Sequence, residues 1–291
     1  MGLEYEHLRS INPRLIMVST SLMGQTGPIR EISGFGSIGA AVAGFFPFGG
    51  WPDRQPCGPY GAYSDYISPR LTLSVVLAAL EHRRSTGLGQ HVDYSQMEAA
   101  AQLLSPAFLN DEINGVEGTR IGNADVNYVP HGVYRVVGED NWLAIACEED
   151  FQWVSLSRVI GAHHLSSLGV DERRKRESEI DELISSWAKN IDGGVAEVEL
   201  QSLGVPAHRV LFAPQVALDP QLAHRKAFSE VSHPRHGAVW IEDSAIHLSR
   251  TPGYARVAAP PAGEHLLEVL TEILGRSADE AADLIATGIF R

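Results

Sequence analysis

Asp65 stands in Pro59-Tyr60-Gly61-Ala62-Tyr63-Ser64-Asp65-Tyr66-Ile67-Ser68-Pro69-Arg70, directly ahead of a long apolar stretch that runs to Gly87. A lone carboxylate held at a strand-to-helix junction among aromatic and small residues can act as a covalent nucleophile. The plainer reading of the same residue is an Asp at a helix start, stabilised there by the macrodipole. The histidines offer less. His163-His164, His208 and His224 stand in no carboxylate–histidine motif at metal spacing, so no metal is expected. His82, at the end of the apolar stretch, reads as a structural histidine. Gly34-Phe35-Gly36-Ser37-Ile38-Gly39 has the Gly-x-Gly-x-x-Gly spacing, but it follows a charged loop where a dinucleotide fingerprint needs a strand. It reads as close helix packing.

The chain has 291 residues and a net charge of -13, from 36 acidic against 23 basic residues. That length suggests two domains, and that charge disfavours nucleic acid and anionic lipid as partners. The one basic cluster, Arg173-Arg174-Lys175-Arg176, is flanked by Glu172, Glu177 and Glu179 and reads as a solvated helix face. Two cysteines, Cys57 and Cys147, are too few for a disulfide framework and fit a reduced, cytoplasmic setting. No window reaches the ~18 uncharged apolar residues that a membrane span needs, and Met1-Gly2-Leu3-Glu4-Tyr5-Glu6-His7 is neither a signal peptide nor, with Glu6 in place of Ser or Thr, a myristoylation motif.

The elements that position these residues follow from pattern. A helix over Glu4–Ser10 leads through Asn12-Pro13 to a buried strand at Leu15–Thr20. Gly39–Phe46 is small and apolar enough for a close-packed helix. Pro69 suits the first turn of the next helix, whose Leu71, Leu73, Val75, Val76, Leu77 and Leu80 make it apolar nearly all round and hence buried. A strand at His91–Tyr94 and a helix at Met97–Leu109 follow. The character then changes. Tyr134–Val137 and Trp142–Ala146 form a hairpin, helices occupy Asp150–Ile160, Glu177–Lys189 and Ala196–Leu203, and strands occupy Ala207–Leu211, Phe228–Ser232 and Ala238–Ile241. Trp142, Trp153, Trp187 and Trp240 are expected in cores. The tail holds two helices, Glu264–Leu274 and Ala278–Ala286, the second opened by a Ser277/Glu280 capping box.

In this order the landmarks resemble the class III (CaiB/BaiF) coenzyme A-transferases. Asn12-Pro13-Arg14-Leu15-Ile16, Gly24-Gln25-Thr26-Gly27-Pro28, Leu77-Ala78-Ala79-Leu80 through Gly87-Leu88-Gly89-Gln90-His91-Val92-Asp93, Arg120-Ile121-Gly122-Asn123, Gly204-Val205-Pro206-Ala207 and Gly263-Glu264-His265 each match a family landmark. Each motif alone is weak; six in sequence are strong. The resemblance implies an α/β class III fold, with a large Rossmann-like part over residues 1–112, a smaller α+β middle domain over 113–240, and a C-terminal helical segment over 241–291 that returns to the large domain. It places Asp65 on the family's catalytic aspartate, which attacks an acyl-CoA thioester to give a mixed anhydride and then an aspartyl-CoA thioester. It places Ser33, Gly34 and Phe35 beside the coenzyme A pantetheine, and Asn127, Tyr128 and Val129 in the lid over the acyl group. That lid is glycine-rich in some members and here reads Ala124-Asp125-Val126-Asn127-Tyr128-Val129, so a bulkier, stiffer loop is expected. No tightly bound cofactor is implied; coenzyme A and acyl-CoA are substrates, with a carboxylic acid as acceptor.

Two departures qualify that picture. Members commonly carry Tyr-Glu, Tyr-Asp or, in the racemase branch, His-Asp where this chain has Phe35-Gly36. Phe35 cannot exchange a proton, which argues against an acyl-CoA racemase or isomerase. Members also begin with a βα portion that this chain opens after. The expectation is therefore a Rossmann-like fold lacking its leading segment, acting as a subunit or portion of a larger enzyme, in an interlocked homo- or hetero-oligomer with a chain that supplies the missing portion. The alternative is a non-catalytic structural or regulatory subunit of the same fold.

Overall fold

The computed structural model describes residues 2–290, a mixed α/β chain. It divides into two compact units, one reaching Arg209 and the other starting at Val210.

In the first unit, helix α1 (Tyr5–Ile11) turns at Asn12-Pro13 into strand β1 (Met17–Ser21). Helix α2 (Gly36–Val42) is shorter and earlier than the small-residue run suggests, and it precedes the long helix α3 (Tyr63–Thr86). Pro69 does not open α3; it lies inside it. The ring removes the amide that would have bonded the carbonyl of Asp65 one turn back, and the helix tolerates the loss so close to its start. Strand β2 (His91–Ser95) pairs in parallel with β1, Met17 opposite His91 and Ser21 opposite Ser95. The single helix expected over 97–109 is two, α4 (Gln96–Gln102) and α5 (Ser105–Asn114), because Pro106 can sit in a first turn but not continue the helix before it.

The expectation that α3 is buried is overturned. Leu73 and Leu77 are 55% and 57% exposed, and the residues α3 hides are Ser64, Ser68 and Ala79. α2 and α4 pack on it through small groups, leaving its branched side chains facing outward. His82, near its end, is likewise exposed.

Strands β3 (His131–Arg135) and β4 (Trp142–Ala146) form the expected hairpin, and β5 (Ala207–Arg209) adds to β4, all antiparallel. Helices α6 (Asp150–Val159), α7 (Val170–Lys175), α8 (Glu177–Ala188) and α9 (Gly193–Ser202) accompany this sheet. Tyr134, Leu143 and Ile145 from the sheet join Trp153, Leu156, Ile180, Ile184 and Leu200 from the helices in one core. The side-chain oxygen of Gln152 accepts the amides of Glu148 and Glu149, closing the start of α6.

The second unit opens with α10 (Ala213–Ala217) and α11 (Pro220–His224), the latter capped by Asp219 accepting from the Leu222 amide at 3.0 Å. Strands β6 (Phe228–His233) and β7 (Gly237–Glu242) form a two-stranded antiparallel ribbon. Such a ribbon has little interior, so Trp240 is 57% exposed where a core residue was expected. The expected helix over 264–274 is a short turn, α12 (Leu266–Glu268), followed by a π-helical turn at Val269–Ile273. α13 (Ala278–Ala286) carries the capping box: Ser277 Oγ accepts from the Glu280 amide at 3.2 Å, and Glu280 accepts from the Ser277 amide at 2.9 Å.

Candidate active site

Asp65 lies in the first turn of α3, where the helix start favours a negative charge. Its Oδ2 accepts the backbone N–H of Gly36, the first residue of α2, at 2.8 Å. That approach depends on glycine. A Cβ at Gly36 would fall 2.5 Å from the Ala62 carbonyl oxygen and 2.6 Å from the Asp65 amide nitrogen. Gly39, one turn on, is equally tight, with a Cβ only 2.4 Å from Ser64 Oγ. The Gly-x-Gly-x-x-Gly spacing thus serves packing, and what it packs is the start of α3 against the start of α2. Ser64 Oγ donates to the Gly36 carbonyl at 3.3 Å, and Ser68 Oγ donates to the Ser64 carbonyl at 2.5 Å, so the turn that carries Asp65 is tied on both sides.

Asp65 opens onto a cavity of about 410 Å³, a volume that suits a small acyl group and is lined mainly by apolar atoms. Ser68, Pro69, Thr72, Leu73 and Val76 of α3 form one wall, with Thr20 and Gln96 opposite. Thr72 Oγ1 is buried and has no hydrogen-bond partner among the described residues. A hydroxyl in that state costs stability unless something pairs it, so it is a donor available to whatever fills the cavity. Thr72 escaped the sequence reading, although helical spacing puts 65, 68 and 72 on one face.

Of the other expected site residues, Ser33, Gly34 and Phe35 form the exposed segment leading to Gly36, with Phe35 77% exposed beside the Gly36–Asp65 hydrogen bond. The structure therefore brings Gly36 to Asp65, with Ser33, Gly34 and Phe35 next along the chain. No hydrogen bond among the described residues joins either to Asn127, Tyr128 or Val129. Asn127 is exposed and Tyr128 half-buried; their amides both bond Asp125 Oδ1, at 2.7 and 3.2 Å. Val129 is fully buried in the core beneath the loop, so its side chain anchors the loop and faces no ligand.

Here the solvated reading of the basic cluster fails. Arg173 is 1% exposed. Its Nε–H donates to the Val129 carbonyl at 2.7 Å, and Nη1 donates to the Leu168 carbonyl at 2.9 Å and to Asp150 at 2.8 Å. Arg174 donates to the Asp125 carbonyl at 3.1 Å, and the His131 ring bonds the Asn123 carbonyl at 2.6 Å. The loop from 123 to 130 is therefore pinned at three carbonyls. Nothing in a run of four cations between glutamates singles out the one that turns inward.

The perturbed thiol and phenol of the first unit belong to its core. Burial pushes the Cys147 thiol up to about 12, against the opposing charge of Arg173, so it carries no thiolate. Tyr134 donates to Asp181 at 2.6 Å; burial and that carboxylate raise the phenol, and burial raises Asp181 in spite of the bond. No three His, Cys, Asp or Glu side chains gather as a metal site among the described residues, and no helix is long and apolar enough to cross a membrane.

Residues 1–266 match CoA-transferase family III, and the chain belongs to that family; it is a class III CoA-transferase. It is 31% identical to the succinyl-CoA–D-citramalate CoA-transferase of Chloroflexus aurantiacus over 98% of this chain and 72% of that protein. It is 29% identical to the beta subunit of the succinyl-CoA–L-malate CoA-transferase of the same organism, over 97% of this chain and 71% of that one. Its structure resembles that of a CaiB/BaiF family protein from Brucella suis, with a TM-score of 0.84 and 27% identity over 94% of this chain and 71% of the other.

Proposed function

We propose that the chain moves coenzyme A between an acyl-CoA and a carboxylic acid with Asp65 as the nucleophile. The observation that carries this reading is the 2.8 Å bond from the Gly36 amide to Asp65 Oδ2 at the mouth of the cavity. It leaves Oδ1 to attack the thioester carbonyl, forming an acyl–aspartyl anhydride and releasing coenzyme A thiolate. The thiolate then attacks Cγ of Asp65, expels the first carboxylate and leaves an aspartyl-CoA thioester. In that step charge collects on Oδ2, where the Gly36 amide already points. An incoming carboxylate attacks the thioester, gives a second anhydride and frees the thiolate, which takes the new acyl group and restores Asp65.

The anhydrides need shielding from water, and Pro69, Leu73 and Val76 supply the apolar part of the wall beside Asp65. Residues 33–35 adjoin the nucleophile and would meet the pantetheine arm, while Asn127 and Tyr128, on the loop held by Arg173 and Arg174, would cover the acyl group. The domain order proposed is 1–112, 113–240 and 241–291. The chain works in an interlocked homo- or hetero-oligomer, in which a leading βα portion adds strands to the sheet. Three observations support this: the exposed apolar side chains of α3, a parallel sheet of two strands where such sheets are ordinarily broader and covered on both faces, and relatives named as alpha and beta subunits. A cytoplasmic setting accords with two free cysteines.

The test is covalent trapping. With acyl-CoA and hydroxylamine, mass spectrometry should find a hydroxamate on Asp65, and Asp65→Asn should lose turnover by on the order of 10⁴-fold. An unmodified Asp65, with wild type and variant equally active, refutes the nucleophile; an unmodified, inactive pair is the outcome for a structural subunit.

A further inference from the structure

The second unit holds a cavity of about 400 Å³ that the transfer chemistry does not use. Arg225 and Lys226, just past the end of α11, reach it from one side, and His247, on the loop after β7, reaches it from another. Ser229, Asp243, Ser244, Pro252, Gly253 and Tyr254 complete the lining. Asp243 is the one carboxylate there, and both its oxygens are engaged: Ser229 Oγ–H donates to one and the Ala255 amide to the other. Ser244 Oγ donates to the Ile246 carbonyl at 3.2 Å. The hydroxyls and the carboxylate are thus turned on one another, while the side chains of Arg225, Lys226 and His247 make no hydrogen bond or ion pair among the described residues. In a chain of net charge -13, a cavity faced by two unpaired cations and an imidazole is an exception.

The backbone adds a second, independent sign. Lys226 has φ +53, the left-handed conformation, where its amide bonds the Ala223 carbonyl and the next amide bonds the Leu222 carbonyl. That is the helix-ending position at which glycine is the relaxed residue. Cations near a helix end are common enough to explain Arg225 alone. They do not explain a lysine kept where a side chain is strained, nor His247 arriving from a different loop.

We propose that this cavity binds a phosphoryl oxyanion, held by Arg225, Lys226 and His247, with the ring of Tyr254, one face of which carries the Arg256 guanidinium, beside it as a surface for a nucleoside base. Two cations and a ring nitrogen supply the donors a phosphoryl group requires, and the one carboxylate in the lining, Asp243, already accepts from Ser229 and the Ala255 amide.

The test uses the full chain at constant ionic strength, titrated with inorganic phosphate, AMP and adenosine by calorimetry. Both phosphates should bind and adenosine should not. AMP tighter than phosphate identifies a nucleotide as the source, and equal affinities identify the phosphoryl group alone. Lys226→Gly should weaken binding roughly tenfold while raising the melting temperature by about 2 °C, and Arg225→Ala should weaken it to a similar extent. Arg235→Ala, outside the cavity, should change nothing. Phosphate heats matched by chloride, or a Lys226→Gly variant that binds as wild type does, would overturn the proposal.

Discussion

Asp65 owes its position to the absence of a neighbouring side chain. Because a Cβ at Gly36 would meet both the Ala62 carbonyl and the Asp65 amide, Gly36→Ala must push α2 off the start of α3. We expect it to cost about 1–3 kcal/mol, as overpacked sites do, and to lower turnover along with stability, measured by urea unfolding and by transfer rate. Phe35→Ala, one residue away on a side chain that is 77% exposed, should stay within about 0.5 kcal/mol of wild type. If the two variants are equally stable, the close approach does not govern the site. The helix behind Asp65 was legible in the sequence because the apolar run and Gly87 mark a helix and its end. The tether from Gly36 was not, since a main-chain donor from 29 residues away leaves no trace in residue type.

Helix α7 shows the same limit among elements. Four consecutive cations look solvated, yet the geometry of one turn carries Arg173 under the loop while Lys175 stays outside. Replacing Arg173 with Met fills the space but leaves the carbonyls of Val129 and Leu168 without donors. The cost should be about 3 kcal/mol, against a near-unchanged urea midpoint for Lys175→Ala. An Arg173→Met midpoint equal to wild type would show that the loop is held by other means. The hairpin, its flanking helices and the Ser277 cap were readable because local pattern determines them. The break between α4 and α5 was written in Pro106 and overlooked, whereas the π-helical turn has no comparable local signal.

Across the first unit, burial was the quantity the sequence misjudged. An apolar helix was expected inside, and α3 instead turns Leu73 and Leu77 outward, a distribution that a covering subunit or further segment would resolve. Leu73→Asp with Leu77→Asp should convert an oligomer to a smaller species in sedimentation velocity; identical profiles for variant and wild type would remove α3 from any interface. Alkaline stability is a second property of the whole unit. The Cys147 thiol is pushed from 9.0 to about 12, so its contribution to stability is complete below pH 9 and is lost as pH rises towards 12. The loss should reach about 1 kcal/mol by pH 10. Urea midpoints between pH 8 and 10 should fall less steeply for Cys147→Ala; parallel slopes would assign the decline to other groups.

The bond between Gly36 and Asp65 has a spectroscopic consequence as well. In the proposed mechanism its acceptor oxygen becomes a neutral carbonyl once Oδ1 is acylated, so the bond would weaken without any atom having to move far. The amide proton of Gly36 then reports the covalent state of the aspartate through its chemical shift. Each turnover intermediate would be visible in the backbone spectrum with no label on the substrate.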